Sequence, residues 1–301
     1  MSGRPAIAPG GDWTPAAGAE VGLDHPDSGP YGRDVIVFAH LSDTHLDGGP
    51  RAAARTRAVL AHLDRLPYDL DAVLVTGDIT DHGLPAEYEE ARELLASRHP
   101  VFVCPGNHDV RAPFRTVLLG EAGGDGPVNR VHRTPGAVFA LCDSSIPGRG
   151  DGRLDEETLA WLEGVLAETP PTTPVLVAFH HPPVVLHSPY VDGIRQFGED
   201  RLAGIVARHP NIAALVCGHA HTAAATTFAG RPLLVAPGVV STIRLPWETG
   251  TDGTDGLVDH EIPPAFAFHV LDDEGRLTTH YRVVVDAPGE EAGDARPGLT
   301  S

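Results

Sequence analysis

Short, continuous apolar runs recur along the chain, and almost every one is closed by a cluster of polar residues: 34–39, 72–76, 101–104, 138–142, 175–179 and 213–217. Runs of this length bounded by turn signals suit strands buried on both faces. Between them lie stretches with apolar residues at helical spacing. Residues 51–66 carry Val59, Leu60, Leu63 and Leu66 among arginines, and 85–98 opens with Pro85, a residue suited to a first helical turn. Asp155 can cap a third helix running to about Glu168, with Leu159, Leu162 and Leu166 on one face, and 199–208 reads as a fourth. Strands alternating with helices predict a layered α/β fold. From Thr226 the pattern changes to short β runs at 226–229, 233–236, 265–271 and 277–285, the last two joined by Asp272-Asp273-Glu274-Gly275 as a hairpin turn.

The pattern also divides the chain. Residues 1–33 are rich in Gly, Pro, Ala and Asp without periodicity and are expected to form a disordered leader, as 286–301 form a disordered tail. One domain is expected over 34–285. Within it, the Gly/Asp/Thr-rich stretch 247–264 is expected to be an inserted loop, serving as a lid or an oligomer contact.

Charge narrows the partners. The 301 residues hold 41 acidic and 22 basic side chains, a net charge of −19, and no lysine. Such a surface repels nucleic acid and anionic lipid, so no nucleic-acid polymer is expected as partner, and an anionic substrate needs arginine or metal as its positive centre. Cys104, Cys142 and Cys217 all sit in apolar runs, an odd count that argues for buried thiols in a reducing compartment. No stretch reaches the length of a membrane span and residues 1–30 lack the marks of a signal peptide, so a cytoplasmic protein is expected.

The polar clusters carry the candidate chemistry. Gly218-His219-Ala220-His221 follows an apolar run, and alternate residues of an extended segment point the same way, so the two imidazoles can face one metal ion. Asp43 and His45 repeat that spacing after the first run. Gly77-Asp78 closes the second, Gly106-Asn107-His108-Asp109 the third, and His180-His181-Pro182-Pro183 the fifth. Taken singly, these are ordinary turn, cap or loop residues. Together they gather at strand carboxyl ends, where ligands bind in open α/β sheets.

The ordered set Asp-x-His, Gly-Asp, Gly-Asn-His-Asp, His-His-Pro-Pro and Gly-His-x-His, from Asp43 to His221, resembles the calcineurin-like metallophosphoesterase superfamily. The resemblance implies a four-layer α/β/β/α sandwich in which two facing mixed sheets are flanked by helices. It also implies two metal ions, Mn, Fe or Zn. Asp43, His45 and His221 would hold one, Asn107, His180 and His219 the other, with Asp78 shared between them. Such a pair lowers the pKa of a bridging water, so that hydroxide can attack phosphorus at neutral pH. His108 would donate to the leaving oxygen, oriented by Asp81. Asn107 and His181 would lie beside the substrate. Arg111 is a candidate phosphate contact, with a surface arginine as its plainer reading. His-x-Pro favours His180 over His181 as ligand, and His187, His209, His260, His269 and His280 are left to solvated or structural roles.

Leu41-Ser42-Asp43-Thr44-His45, His-His-Pro-Pro, and Gly230-Arg231-Pro232 ahead of Val235-Ala236-Pro237 look like the bacterial cyclic-nucleotide phosphodiesterase branch (class III). That resemblance implies hydrolysis of 3′,5′-cyclic AMP or 2′,3′-cyclic nucleotides, and suggests a homodimer. The alternatives are a general or glycerophosphodiester phosphodiesterase and a non-catalytic scaffold of the same fold, against which the intact ligand set speaks. Where protein phosphatases of the superfamily carry arginine in Gly-Asp-x-x-Asp-Arg-Gly, this chain has His82.

Overall fold

A computed structural model describes residues 35–249 and 256–285. The expected leader and tail, and residues 250–255 of the expected loop, lie outside these. In chain order the strands are β1 (Ile36–Leu41), β2 (Ala72–Thr76), β3 (Val101–Cys104), β4 (Arg130–Arg133), β5 (Val138–Leu141), β6 (Val175–Ala178) and β7 (Ile212–Cys217). They continue with β8 (Ala224–Phe228), β9 (Arg231–Val235), β10 (Thr242–Ile243), β11 (Val258–Asp259), β12 (Ala265–Leu271) and β13 (Leu277–Val283).

One mixed sheet has the order β13-β12-β1-β2-β3 and the other β4-β5-β6-β7-β9-β8, with β10 and β11 forming a separate ribbon. Because β1, β2 and β3 run parallel, as do β5, β6 and β7, the carboxyl ends within each set share one edge. The side-chain period of two sorts each strand between two cores. Phe38, Leu74, Leu176 and Val216 point between the sheets. Their neighbours Ala39, Val73 and Val75 pack outward with Val59, Leu60 and Leu63 of the helix Pro50–Asp64. On the far side, Val177 and Leu215 pack with Leu159 and Leu162 of the helix Glu156–Glu168 and Leu202 of the helix Asp200–Arg208. Three apolar interfaces in succession make the expected four layers. Asp155 caps its helix as expected, its side chain accepting from the Thr158 N–H at 2.8 Å. Cys104 lies between the sheets, Cys142 and Cys217 lie in the far-side core, and all three are free and buried.

β12 and β13 extend the first sheet through antiparallel pairing of β12 with β1. The helix from Pro85 ends at Leu94 rather than Arg98, since Ser97 and Arg98 are engaged instead by the Asp64 and Asp69 carboxylates. β4 escaped the reading of apolar runs because, as an edge strand, it alternates half-buried and exposed residues that include two arginines. Among the described residues no helix is long and apolar enough to cross a membrane.

Candidate metal centre

The parallel strands deliver their polar ends to one place. Asp43 and His45 follow β1, Asp78 follows β2, Asn107 and His108 follow β3, His180 follows β6, and His219 and His221 follow β7. The means of convergence differs from the expected alternation along an extended segment. Asp43, His45, Asp78, His219 and His221 all adopt positive φ, between 40° and 69°, and make up five of the seven such non-glycine residues among the described ones. Left-handed backbone is costly for residues with a Cβ and is retained where the surroundings impose it, typically at functional sites. Neighbouring glycines admit the close approach: a Cβ on Gly106 would sit 2.2 Å from Asp78 Oδ1, and one on Gly218 1.7 Å from Ser42 Oγ.

Two halves result. In one, His45 Nε2 lies 3.2 Å from His221 Nε2, and Asp43 Oδ1 lies 3.5 Å from the latter. In the other, His180 Nε2 is 3.2 Å from His219 Nδ1. Asp78 Oδ2 stands between them, 3.5 Å from His45 Nε2 and 3.2 Å from His180 Nε2, where one carboxylate oxygen can serve both. Asp43, His45 and His221 form one candidate metal-binding group, and Asp43, Asp78 and His180 another. Asp43 Oδ1 and Asn107 Oδ1 are buried with no hydrogen-bonding partner. Buried oxygens without donors are costly unless a cation is shared, so these residues fit two ions with mixed O/N ligation.

The far side of three of the four rings is fixed, which aims the other nitrogen inward. His45 Nδ1 meets Asp81 Oδ1 at 2.9 Å, His221 Nδ1 meets Ser241 Oγ at 2.8 Å, and His180 Nδ1 donates to the Thr76 carbonyl at 2.7 Å. Electrostatics follows burial and pairing. Burial works to lower the His180 pKa, but the Asp78 carboxylate outweighs it and lifts the value to about 9. Burial works in the opposite sense on Asp78, which His180 and His45 nevertheless hold well below the usual carboxylate range. Burial, followed by repulsion from His180, brings His219 down to about 3, and burial lowers His221 as well. Those two rings are therefore neutral and keep a lone pair for a cation.

Three of the expected site residues have surroundings that the sequence does not display. The Asp81 carboxylate chiefly holds His45; His108 Nδ1 donates to the Asp81 main-chain carbonyl at 2.8 Å and lies 3.4 Å from the carboxylate. Asp81 thus meets His108 most closely through its backbone. His181 is fully buried, with Nδ1 against Ser144 Oγ at 2.8 Å, and it stands beside His180 and His219 rather than on an open substrate face. Arg111 is neither free for phosphate nor at the surface: Nε lies 2.8 Å from Asp143 Oδ2, and its other nitrogens donate to the Asp125 and Ser145 carbonyls. Arg111→Ala should therefore act on stability, lowering it by roughly 2–4 kcal/mol in denaturant titration, because a buried carboxylate loses its cation. An unchanged midpoint with a raised KM would restore the phosphate role.

Other supports were missed. Asp109, the last residue of Gly-Asn-His-Asp, accepts from the N–H groups of Ile79, Thr80 and Gly106 and from the Tyr88 hydroxyl, tying the loop after β2 to the loop after β3. Burial and then the Asp78 charge push its pKa up to about 6. Ser144 could have been noticed in the polar run Asp143-Ser144-Ser145 that ends β5. Ser241 carries no such signal.

Residues 36–223 match the calcineurin-like phosphoesterase family. The chain belongs to that family. This metallophosphoesterase is 35% identical over 240 residues, 74% of each chain, to a Mycobacterium tuberculosis protein named cAMP/cGMP dual specificity phosphodiesterase. Over 217 residues, 68% of this chain and 78% of the other, it is 35% identical to an Enterobacter lignolyticus protein named glycerophosphodiester phosphodiesterase GpdQ. Its fold matches that of a dimetal phosphatase from Danio rerio with a TM-score of 0.62 at 18% identity, covering 84% of this chain and 97% of that one.

Proposed function

We propose that this metallophosphoesterase is a phosphodiesterase that hydrolyses cyclic nucleotides, 3′,5′-cyclic AMP and 2′,3′-cyclic nucleotides among them. The observation that carries the reading is the position of Asp78 Oδ2 between His45 and His180, with the His108 backbone N–H on Asp78 Oδ1 at 2.9 Å. Two bound ions, held by Asp43, His45 and His221 on one side and Asn107, His180 and His219 on the other, with Asp78 common to both, would neutralise phosphate charge and ionise water.

The chain's own residues do the rest. Hydrolysis breaks one ester P–O bond, forms another to the oxygen of water, and leaves an alkoxide that must gain a proton. His108 can supply it: its Nδ1–H is committed to the Asp81 carbonyl, so a second proton, carried on Nε2, is the one the ring can give to the departing oxygen. The side chain is 40% exposed, open to an incoming ester.

Scarcity of cations supports a diester over a monoester. Arg111 is paired, the chain has no lysine, and His82 stands where related phosphatases carry arginine. A singly charged diester needs less compensation than a dianionic monoester. The relative named as a cyclic-nucleotide enzyme supports the first substrate class, and the relative named for glycerophosphodiesters supports a second. The free, buried cysteines accord with action in the cytoplasm.

A panel assayed with Mn decides between them: 3′,5′-cyclic AMP, 2′,3′-cyclic AMP, glycerophosphoethanolamine and p-nitrophenyl phosphate. The cyclic nucleotides should show kcat/KM at least ~10-fold above the others. Faster turnover of glycerophosphoethanolamine would establish the second class, and monoester turnover equal to diester turnover would sink both.

A further inference from the structure

A line of polar groups runs through the otherwise apolar space between the two sheets and stops under the metal centre. The inward positions of β1 are Ile36, Phe38 and then His40, and those of β2 are Ala72, Leu74 and then Thr76. In both strands the period of two calls for another apolar side chain at the last place. His40 is fully buried and His269 is 1% exposed, with Phe38 packed against the latter at 4.8 Å between ring centroids.

The contacts form one continuous chain. Thr279 Oγ1 lies 2.8 Å from His269 Nδ1, His269 Nε2 lies 3.2 Å from His40 Nδ1, and His40 Nε2 lies 2.9 Å from Thr76 Oγ1. The Thr76 hydroxyl in turn reaches the Leu41 carbonyl at 3.5 Å. A single assignment satisfies every group: Thr279 donates to His269, His269 to His40, His40 to Thr76, and Thr76 to Leu41. It requires each imidazole to be neutral, with one donor and one acceptor. Burial, reinforced for His40 by His269, lowers both pKa values, His269 to about 3, so both rings are neutral.

What lies at the end of this chain gives it a purpose. The carbonyl of Thr76 accepts from His180 Nδ1 at 2.7 Å and from Ser42 Oγ at 3.0 Å; Asp43 directly follows Ser42, and Asp78 follows Thr76 after Gly77. We propose that His40 and His269 are positioning residues of the metal centre: they pin the Thr76 hydroxyl so that its carbonyl holds the His180 ring in the orientation that presents Nε2 to the second ion. An apolar pair would fill the same space but leave the Thr76 hydroxyl with the long contact to Leu41 alone, and the strand end that carries the carbonyl less firmly held. The link spans four strands, β13, β12, β1 and β2, so the outer edge of the first sheet bears on a ligand contributed by the second.

This inference rests on reading the site as a two-metal centre, and one experiment separates the two. Chelator-stripped protein is titrated calorimetrically with Mn(II), for wild type, Thr76→Val, His40→Phe and Thr76→Ser, with thermal unfolding of each chelated protein alongside. Valine keeps the β-branched shape and the backbone carbonyl of Thr76 but loses its contacts to His40 and Leu41, and phenylalanine keeps an aromatic ring at His40 but loses its contacts to His269 and Thr76. The expected result is two ions in wild type. In Thr76→Val and His40→Phe one of the two sites should weaken about 10–100-fold while the other is kept. Thr76→Ser, which retains the hydroxyl, should restore the wild-type isotherm. Wild-type affinity at both sites in Thr76→Val and His40→Phe would overturn the proposal. So would equal weakening of both sites that tracks a fall in Tm, since that is what a merely structural role produces. A wild type that takes up fewer than two ions would instead remove the two-metal reading, and this inference with it.

Discussion

Asp78→Asn should bind fewer than two metal ions per chain and lose phosphodiesterase turnover by on the order of 10³-fold or more. The substitution preserves shape but removes the one charge that stands within 3.5 Å of imidazole nitrogens from both halves. A neutral amide offers its single oxygen as a weak ligand and cannot easily serve two cations at once. Asn107 shows the contrast: its amide oxygen faces one half only in the proposed assignment, and a neutral donor suffices there. Folding should survive, because Asp78 Oδ1 accepts the His108 N–H at 2.9 Å and the asparagine carbonyl can do the same. Thermal unfolding with and without Mn separates lost ligation from lost fold. At about 100 times Kd, one bound ion stabilises the wild type by about 2.7 kcal/mol, and that increment should shrink in the variant. Two ions still bound with turnover near wild type would remove Asp78 from its bridging role.

How much of this was readable beforehand follows from where the information lies. β1, β2, β3, β5, β6 and β7 announce themselves because both faces of each strand are buried, between the sheets and under the helices, so their apolar runs are unbroken. The ligands announce themselves because each cluster closes such a run. The path by which they converge did not: Asp43 and His45 meet one half of the site from left-handed backbone, and a residue's φ is set by loop packing that alternation ignores. The supports were least legible. Ser241 reaches His221 because Val239 and Val240 donate to the carbonyls of Ser42 and Asp43, two loops far apart in sequence. Arg111 looked like a surface or phosphate arginine because its partner Asp143 comes from the other sheet. His269 read as one more structural histidine, and only the through-space contact with His40 shows what it bears on.

His108→Ala should leave two metal ions bound and yet slow 3′,5′-cyclic AMP hydrolysis by about 10²–10⁴-fold, the range typical of losing a general acid. The two effects separate because His108 touches the centre without being needed to build it. Its side chain is 40% exposed, whereas the proposed imidazole ligands are 12% exposed or less, and its Nδ1 is occupied by the Asp81 carbonyl. The proton it carries matters in proportion to the basicity of the leaving oxygen. A ribose alkoxide is strongly basic and must be protonated as it departs, while p-nitrophenolate is stable as an anion. Bis(p-nitrophenyl) phosphate should therefore lose far less turnover in the variant than cyclic AMP does, by at least ~10-fold. Equal losses on the two substrates would mean that His108 binds phosphate rather than protonating the leaving group. Loss of an ion from the variant would mean that it belongs among the ligands, as its place beside His45 and Asp78 would then require.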